Sequence, residues 1–114
     1  MADSLDQLAQ QLKDFAQARD WGPFHAPKNL ASALIVEAGE LLEHFQWMSE
    51  AQSRALPVAQ REAVALEMAD VLLYLIQLSN ELGIDLVDAA RRKVAINEAR
   101  FPRVPHPKGS PNQP

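Results

Sequence analysis

Two pairs of carboxylates stand three residues apart in regions that the sequence marks as helical: Glu37 with Glu40, and Glu67 with Asp70. At about 100° per residue, this spacing places both side chains of a pair on one helical face. Neighbouring like charges repel, so the arrangement calls for a compensating partner. If the two pairs face each other, four carboxylates converge in a partly buried place, where anions must be protonated or bound to a cation. A metal ion is the simplest such partner.

The ligand type narrows the choice of metal. Carboxylate oxygens without thiolates favour a hard cation, Mg²⁺ or alternatively Mn²⁺. A di-iron bundle site needs a Glu-x-x-His motif on each of two helices, whereas Glu40 is followed at that spacing by Glu43 and the third helix has no histidine. A narrow polar seam on a single apolar helix is usually just the strip that faces water. Two such helices, each with a carboxylate pair, favour the metal.

Two aromatic residues lie at helical spacing from the carboxylates. Trp47 comes seven residues after Glu40, about 10 Å further along the same face. An indole there could stack on a base while the carboxylates hold a triphosphate, although Trp47 taken alone is more simply interpreted as a cap on the core at a helix end. Tyr74 follows Asp70 by four residues and could donate a hydrogen bond to a sugar or phosphate, or stand at the edge of a bundle with its hydroxyl in water.

Four polar residues are weaker candidates. Lys93 and Asn97 share a face of the fourth predicted helix, and His25 and Asn29 flank the start of the second. A lysine opposite the carboxylates could complement phosphate charge. From spacing alone, the neighbouring arginines favour the interpretation that Lys93 belongs to a solvated basic face.

Four predicted helices must position these side chains, because apolar residues recur near the 3.6 period and no segment alternates like a strand. Their expected extents are Ser4 to about Asp20, about Asn29 to Trp47, Pro57 to Leu82, and from Asp85 as N-cap to about Arg100. We expect Gly83 to end the third helix and the polar stretch 49–56 to be a loop. The prediction is an all-α four-helix bundle, with one domain over 1–103 and a loose proline-rich tail over 104–114.

Composition limits the function classes. The 114 residues suffice for one ordinary domain, and 47% hydrophobic with 23% charged residues is typical of a folded protein. A net charge of −4 and the lack of a basic stripe argue against a nucleic acid polymer as partner. No run is apolar enough to cross a membrane, and residues 1–8 lack the pattern of a secretory signal. The absence of cysteine excludes disulfides and thiolate sites, and we expect a cytoplasmic protein.

Taken together, the motifs resemble those of the MazG-like, all-α nucleoside triphosphate pyrophosphohydrolase superfamily, and within it the dCTP pyrophosphatase branch. The two carboxylate pairs match the superfamily pattern E-x-x-E followed by E-x-x-D. The surrounding motifs add specificity and follow in order over roughly Leu5 to Arg103. They are Arg19-Asp20-Trp21, Phe24-His25, Asn29-Leu30, Glu37-Ala38-Gly39-Glu40-Leu41, Phe45-Gln46-Trp47, Ala69-Asp70-Val71-Leu72, Tyr74-Leu75 and Lys93…Asn97…Arg100-Phe101-Pro102.

The resemblance assigns roles to individual residues. The implied catalytic residues and Mg²⁺ ligands are the same four carboxylates, Glu37, Glu40, Glu67 and Asp70. The implied base pocket consists of Trp47 with Trp21 and His25. The residues expected to hold the sugar and phosphates are Asn29, Tyr74, Lys93 and Asn97. The resemblance also implies a homo-oligomer, a tetramer in preference to a dimer, with sites at subunit contacts.

The implied reaction is the Mg²⁺-dependent hydrolysis of a nucleoside triphosphate, dCTP or a 5-modified dCTP, to the monophosphate and pyrophosphate, which would cleanse the nucleotide pool. Our hypothesis is attack of water at the α-phosphorus, with one carboxylate taking the proton of that water. Two alternatives stay open: a pyrophosphohydrolase of another nucleotide such as dUTP, and a non-catalytic helical module that binds a partner. The sequence does not decide the base, because aromatic stacking tolerates every base.

Overall fold

The computed structural model describes residues 4–104, and every regular element within them is helical. The elements are α1 (Ser4–Ala18), a 3₁₀ turn (Gly22–Phe24), α2 (Pro27–Glu43), α3 (Glu50–Arg54), α4 (Val58–Leu82) and α5 (Leu86–Arg100). The all-α prediction is confirmed, and the four long helices are the expected ones. Among the described helices, none combines the length and apolar character that a membrane span requires.

The chain divides into two compact units, one ending at Ile84 and one beginning at Asp85. The second unit contains α5 and the exposed residues 101–104. The predicted loose tail lies outside the described residues from position 105 onward. The single domain predicted for residues 1–103 stays a prediction.

The ends of α4 and the start of α5 follow their local sequence. Pro57 is the N-cap of α4, so the helix begins one residue later than predicted. Gly83 ends α4 with φ of 65°, a left-handed conformation that a side chain would strain. The Ile84 N–H then reaches back to the Ser79 carbonyl at 3.0 Å. Asp85 caps α5 as predicted, because its side chain accepts the Asp88 N–H at 3.0 Å.

Two predicted elements need correction. Helix α2 ends at Glu43, not at Trp47, because the next backbone amides bond to the carbonyls of Leu41 and Leu42 in tighter turns. The stretch predicted as a polar loop contains α3, opened by a capping box in which the side chains of Ser49 and Gln52 each accept the other's backbone N–H. Trp47 therefore does not continue the helical face of the α2 carboxylates.

The first unit is built on α4. Both α1 and α2 pack against α4. The buried apolar side chains among residues 4–104 are few, namely Leu30, Val64 and Ile76. A hydrogen bond joins α1 to α4, since the Asn80 side-chain amide donates to the Ala9 carbonyl at 3.1 Å. Such a small core leaves many large apolar side chains in contact with solvent.

Candidate metal and nucleotide site

The pairing of α2 with α4 brings carboxylates together. Gln60 donates to the His44 carbonyl at 3.4 Å, and Glu37 lies beside Glu67, so the two helices run antiparallel. Carboxylate oxygens of Glu37, Glu67 and Asp70 all lie within 4.8 Å of one another. We call these three residues the carboxylate cluster. They are three of the four carboxylates singled out in the sequence.

Glu40 is the fourth, and it does not belong to that group. Its side chain is exposed on α2, one turn beyond Glu37. It is still a neighbour of the cluster, because a hydrogen bond between the two carboxyl groups lowers the pKa of Glu37. Its predicted role as a ligand stays a prediction.

The negative charge of the cluster has no compensating positive charge among the described residues. The Oε2 atoms of Glu37 and Glu67 are shielded from solvent and have no hydrogen-bond partner when both groups are ionised. The pKa of Glu37 is raised above its ordinary value, chiefly because its proton can be shared with Glu67, and next because burial disfavours the charged form. Repulsion from Glu67 and Asp70 adds to that rise. Either a proton or a cation must therefore compensate this charge.

The donor set suits a hard divalent cation. All of the donors are carboxylate oxygens, which Mg²⁺ and Mn²⁺ prefer. Oxygens on opposite sides of a Mg²⁺ ion are separated by about 4.2 Å, twice the usual bond length. The oxygens of the cluster all lie within 4.8 Å of one another, at most about 0.6 Å more than that separation, so small side-chain rotations would suffice. The orphaned inward oxygens are the atoms that such an ion would satisfy.

A cavity of about 310 Å³ adjoins the cluster, and Asp70 belongs to both. Its walls come from α1, the 21–25 segment and α4, and they consist of Leu12, Phe15, Trp21, His25, Asp70, Leu73, Tyr74 and Gln77. We call it the aromatic cavity. The Trp21 ring meets the edges of Phe15 and His25 at centroid distances of 5.4 and 6.3 Å. It is 41% exposed, so a ligand can reach its surface.

The backbone around Asp20 is irregular, and it places Trp21 in the wall of this cavity. Asp20 has φ of 55°, in the left-handed region that aspartate tolerates better than most residues. The Trp21 N–H turns back to the Ala16 carbonyl at 3.0 Å, and the 3₁₀ turn follows at once. Arg19 packs on Phe15, with its guanidinium carbon 3.5 Å from the centre of the Phe15 ring.

The remaining predicted substrate residues do not line the aromatic cavity. Trp47 is 89% exposed, and Asn29 is exposed in the first turn of α2. Lys93 is exposed and Asn97 half-buried on α5, in the second unit. Their predicted roles stay predictions. Of the proposed nucleotide contacts, Trp21, His25 and Tyr74 are the ones that line the cavity.

The sequence reasoning assigned no site role to Phe15 and Gln77. Phe15 is one of the apolar residues of the first helix, and its place beside Trp21 depends on the turn at Asp20. Gln77 did carry a signal. It follows Tyr74 by three residues, and Tyr74 follows Asp70 by four. These spacings keep all three side chains on one face of α4.

Comparison with known proteins identifies the family of the chain. Residues 33–108 match the model of the MazG-like family. The chain belongs to the MazG-like family. The resemblance inferred from the sequence, including its dCTP pyrophosphatase branch, is thereby confirmed.

Three similar proteins illustrate the relationship. The mouse and human proteins named dCTP pyrophosphatase 1 are each 40% identical over 101 residues, covering 87% of this chain and 59% of theirs. This chain thus spans less than two thirds of the length of those relatives. A crystal structure of a pyrophosphatase from Archaeoglobus fulgidus superposes with a TM-score of 0.84 and 35% identity, covering 90% of this chain and 96% of that one.

A more distant relative carries a different substrate in its name. The dATP/dGTP diphosphohydrolase of cyanophage S-2L is 33% identical over 78 residues, 68% of this chain and 60% of that protein. Each of these relatives is named as a pyrophosphatase or diphosphohydrolase, which supports the enzyme class predicted from the sequence.

Proposed function

We propose that this chain hydrolyses a nucleoside triphosphate, dCTP or a 5-modified dCTP, to the monophosphate and pyrophosphate in a Mg²⁺-dependent reaction. One observation carries the proposal: Asp70 belongs both to the carboxylate cluster and to the wall of the aromatic cavity. A ligand spanning the two would hold its phosphates at the cluster and its base beside Trp21. Nucleoside triphosphates have that division into an anionic end and an aromatic end.

The residues divide the work accordingly. Glu37, Glu67 and Asp70 would hold the cation, with Glu40 as a further oxygen donor beside them. Bound Mg²⁺ supplies neutralisation of phosphate charge and a lowered pKa of the attacking water. A carboxylate oxygen accepts the proton of that water. Trp21 and His25 hold the base, and Tyr74 donates to the sugar or a phosphate.

Four more residues complete the proposed contacts from outside the aromatic cavity. Trp47 would add a second stacking surface for the base, and Asn29, Lys93 and Asn97 would bind the sugar and phosphates. The observation in favour of Trp47 is its 89% exposure, which leaves the indole available to a ligand or to a second subunit. These roles rest on the family resemblance.

The names of the relatives support the proposed reaction more strongly than the proposed choice of cytosine as the base of the substrate. The 40% identical mouse protein is named for dCTP, whereas the 33% identical phage protein is named for dATP and dGTP. The release of a diphosphate recurs across that range while the base changes. We place cytosine first because the more similar relatives are named for it.

The test is pyrophosphate release from the four common dNTPs, dUTP and 5-methyl-dCTP, measured with and without Mg²⁺. Strong Mg²⁺-dependent release from the cytidine nucleotides would support both the reaction and the substrate. Release from another nucleotide would keep the reaction and replace the substrate. No release from any of them would overturn the proposal and favour a non-catalytic helical module that binds a partner.

We also propose that the chain works as a homo-oligomer, a tetramer in preference to a dimer. Large apolar side chains remain exposed on both central helices: Ile35, Val36 and Leu42 on α2, and Val58, Leu66, Met68, Leu72 and Leu82 on α4. Large apolar side chains exposed in this number favour a protein contact, and a second copy is the occupant that the family resemblance implies. Light scattering should give about four times the chain mass of 12.7 kDa. A monomeric mass at micromolar concentration would overturn this proposal.

A further inference from the structure

Gln77 occupies a junction between two cavities. It lies half-buried on α4 and lines the aromatic cavity. It also lines a neighbouring cavity of about 330 Å³, which shares Leu12 and His25 with the aromatic cavity. Gln77 thus borders both spaces.

The side-chain amide of Gln77 takes no part in the hydrogen bonds that hold the described helices together. Within residues 4–104 its side chain makes no hydrogen bond. Asn80, one turn further along α4, is different, because its amide is committed to the Ala9 carbonyl of α1. A carboxamide has one acceptor oxygen and two N–H donors, so Gln77 keeps its full hydrogen-bonding capacity in a largely apolar wall. Such a group is available to a ligand.

The height of Gln77 on α4 fits a nucleotide. Gln77 lies seven residues beyond Asp70, which corresponds to about 10 Å along the helix axis. That is roughly the distance from the phosphates of an extended nucleotide to the far edge of its base. Tyr74 stands between them, level with a sugar. The Trp21 ring lies in the same cavity, where it can cover the face of the base.

We propose that Gln77 selects the base by hydrogen bonding to its polar edge. The inference rests on the proposed function, since it takes the aromatic cavity as the base site. The amide oxygen of Gln77 accepts from the N4 amino group of cytosine, and its N–H donates to the adjacent ring nitrogen N3. Stacking alone cannot distinguish bases, whereas a site built to hydrogen bond one edge rejects an analogue that lacks it. Gln77 is a specificity residue, outside the hydrolytic step.

The experiment compares dCMP with the same nucleotide carrying 2-pyrimidinone, which lacks the N4 amino group. Calorimetric titrations with Mg²⁺ present would use the full chain and two variants. Gln77→Met keeps the length of the side chain and removes its hydrogen bonds. The control is Gln17→Met, because Gln17 lines the neighbouring cavity and not the aromatic one.

We expect the unaltered chain to bind dCMP about tenfold more tightly than the analogue, the effect of one or two neutral hydrogen bonds. Gln77→Met should reduce this ratio to about twofold or less, and Gln17→Met should leave it unchanged. A ratio in Gln77→Met equal to that of the unaltered chain would overturn the inference. So would equal binding of both ligands, or no binding, by the unaltered chain.

These outcomes are separate from those of the proposed reaction. If the chain releases pyrophosphate but the binding ratio of dCMP to the analogue is the same with and without the Gln77 amide, the proposed function stands and the role of Gln77 is refuted. A Gln77-dependent ratio without pyrophosphate release would keep the base contact and remove the hydrolysis.

Discussion

The carboxylate cluster and the aromatic cavity meet at Asp70 but are built differently. The cluster stands on two regular antiparallel helices, and helical periodicity fixes the spacing of Glu67 and Asp70. The cavity needs α1, α4 and an irregular turn in which Asp20 has a positive φ. In the cluster, the buried Oε2 atoms of Glu37 and Glu67 have no hydrogen-bond partner. The cavity, by contrast, is lined by the partly exposed rings of Phe15 and Trp21.

This difference suggests that the two regions control different kinetic parameters. The cluster can stabilise charge that develops during reaction, so its loss should lower kcat. The cavity offers stacking that a ground state and a transition state share, so its loss should raise KM. Substitutions in each region test that division.

The largest effect is expected from the cluster. Glu67→Gln and Asp70→Asn keep the shape of the side chain but remove the charge that holds a cation. We expect the rate of pyrophosphate release to fall by about a thousandfold or more, a loss of several kcal/mol. Steady-state kinetics would measure this, with circular dichroism to show that the helices persist. The matched control is Glu62→Gln, an exposed glutamate on α4 outside the cluster. Near-normal turnover in the cluster variants would refute a hydrolytic role for the carboxylates.

Glu40 gives a sharper version of the same test. It is exposed and outside the cluster, although it adjoins Glu37. If it closes around the cation as the family resemblance implies, Glu40→Gln should abolish turnover as completely as Asp70→Asn. Retained activity in Glu40→Gln alone would limit the functional set to the three clustered carboxylates.

The next effect is expected from the cavity. Trp21→Ala removes the ring that lies against Phe15 and His25. Because stacking on one base is worth about 1–3 kcal/mol, KM should rise by about 5- to 150-fold while kcat changes little. Phe24→Ala is the control, since Phe24 is adjacent in sequence, 71% exposed and not part of the cavity wall. A Trp21→Ala variant that lost kcat at unchanged KM would contradict the proposed division of roles.

The contrast between the two regions also explains what the sequence could predict. The carboxylates were found because a spacing of three on a long apolar helix has one geometric outcome. The helix end at Glu43 was missed because no glycine or proline marks it, and the turns after it contact Gln60, which is distant in sequence. The argument that placed Trp47 on the face of Glu40 failed with that boundary.

The cavity was harder to predict because the residues that line it come from segments distant in sequence. Trp21 and Tyr74 are 53 residues apart in the chain and come together only when α1 packs on α4. The spacing from Asp70 to Gln77 was visible, but nothing in one helix shows what stands opposite it. By contrast, α3 could have been predicted, since the capping pair Ser49 and Gln52 is written in the sequence.

A smaller effect concerns the pH dependence of stability without metal. The pKa of Glu37 is raised above 4.5, mainly by the proton it can share with Glu67. Protonated Glu37 is therefore favoured by folding, so its contribution is fully present below pH 4.5 and is lost as the pH rises through the folded-state pKa. With chelator present, the Tm of the unaltered chain should fall relative to that of Glu37→Gln as the pH rises through this window. Glu43→Gln, exposed on α2, is the control. Parallel pH profiles for the unaltered chain and Glu37→Gln would show that the pKa of Glu37 is not perturbed by the cluster.

The smallest effect should come from the turn that carries Trp21. At φ of 55°, Asp20 adopts a conformation that glycine accepts freely and alanine resists. Asp20→Ala should lower the free energy of unfolding by roughly 0.5–1 kcal/mol, whereas Asp20→Gly should stay close to the unaltered chain, because released strain offsets the added entropy of the unfolded state. Urea unfolding of the three proteins would measure the order. If alanine proves as stable as glycine, the left-handed turn is not required, and Trp21 can reach the cavity on a different backbone. If alanine is less stable and also raises KM slightly, the irregular turn positions the stacking surface, as the structure indicates.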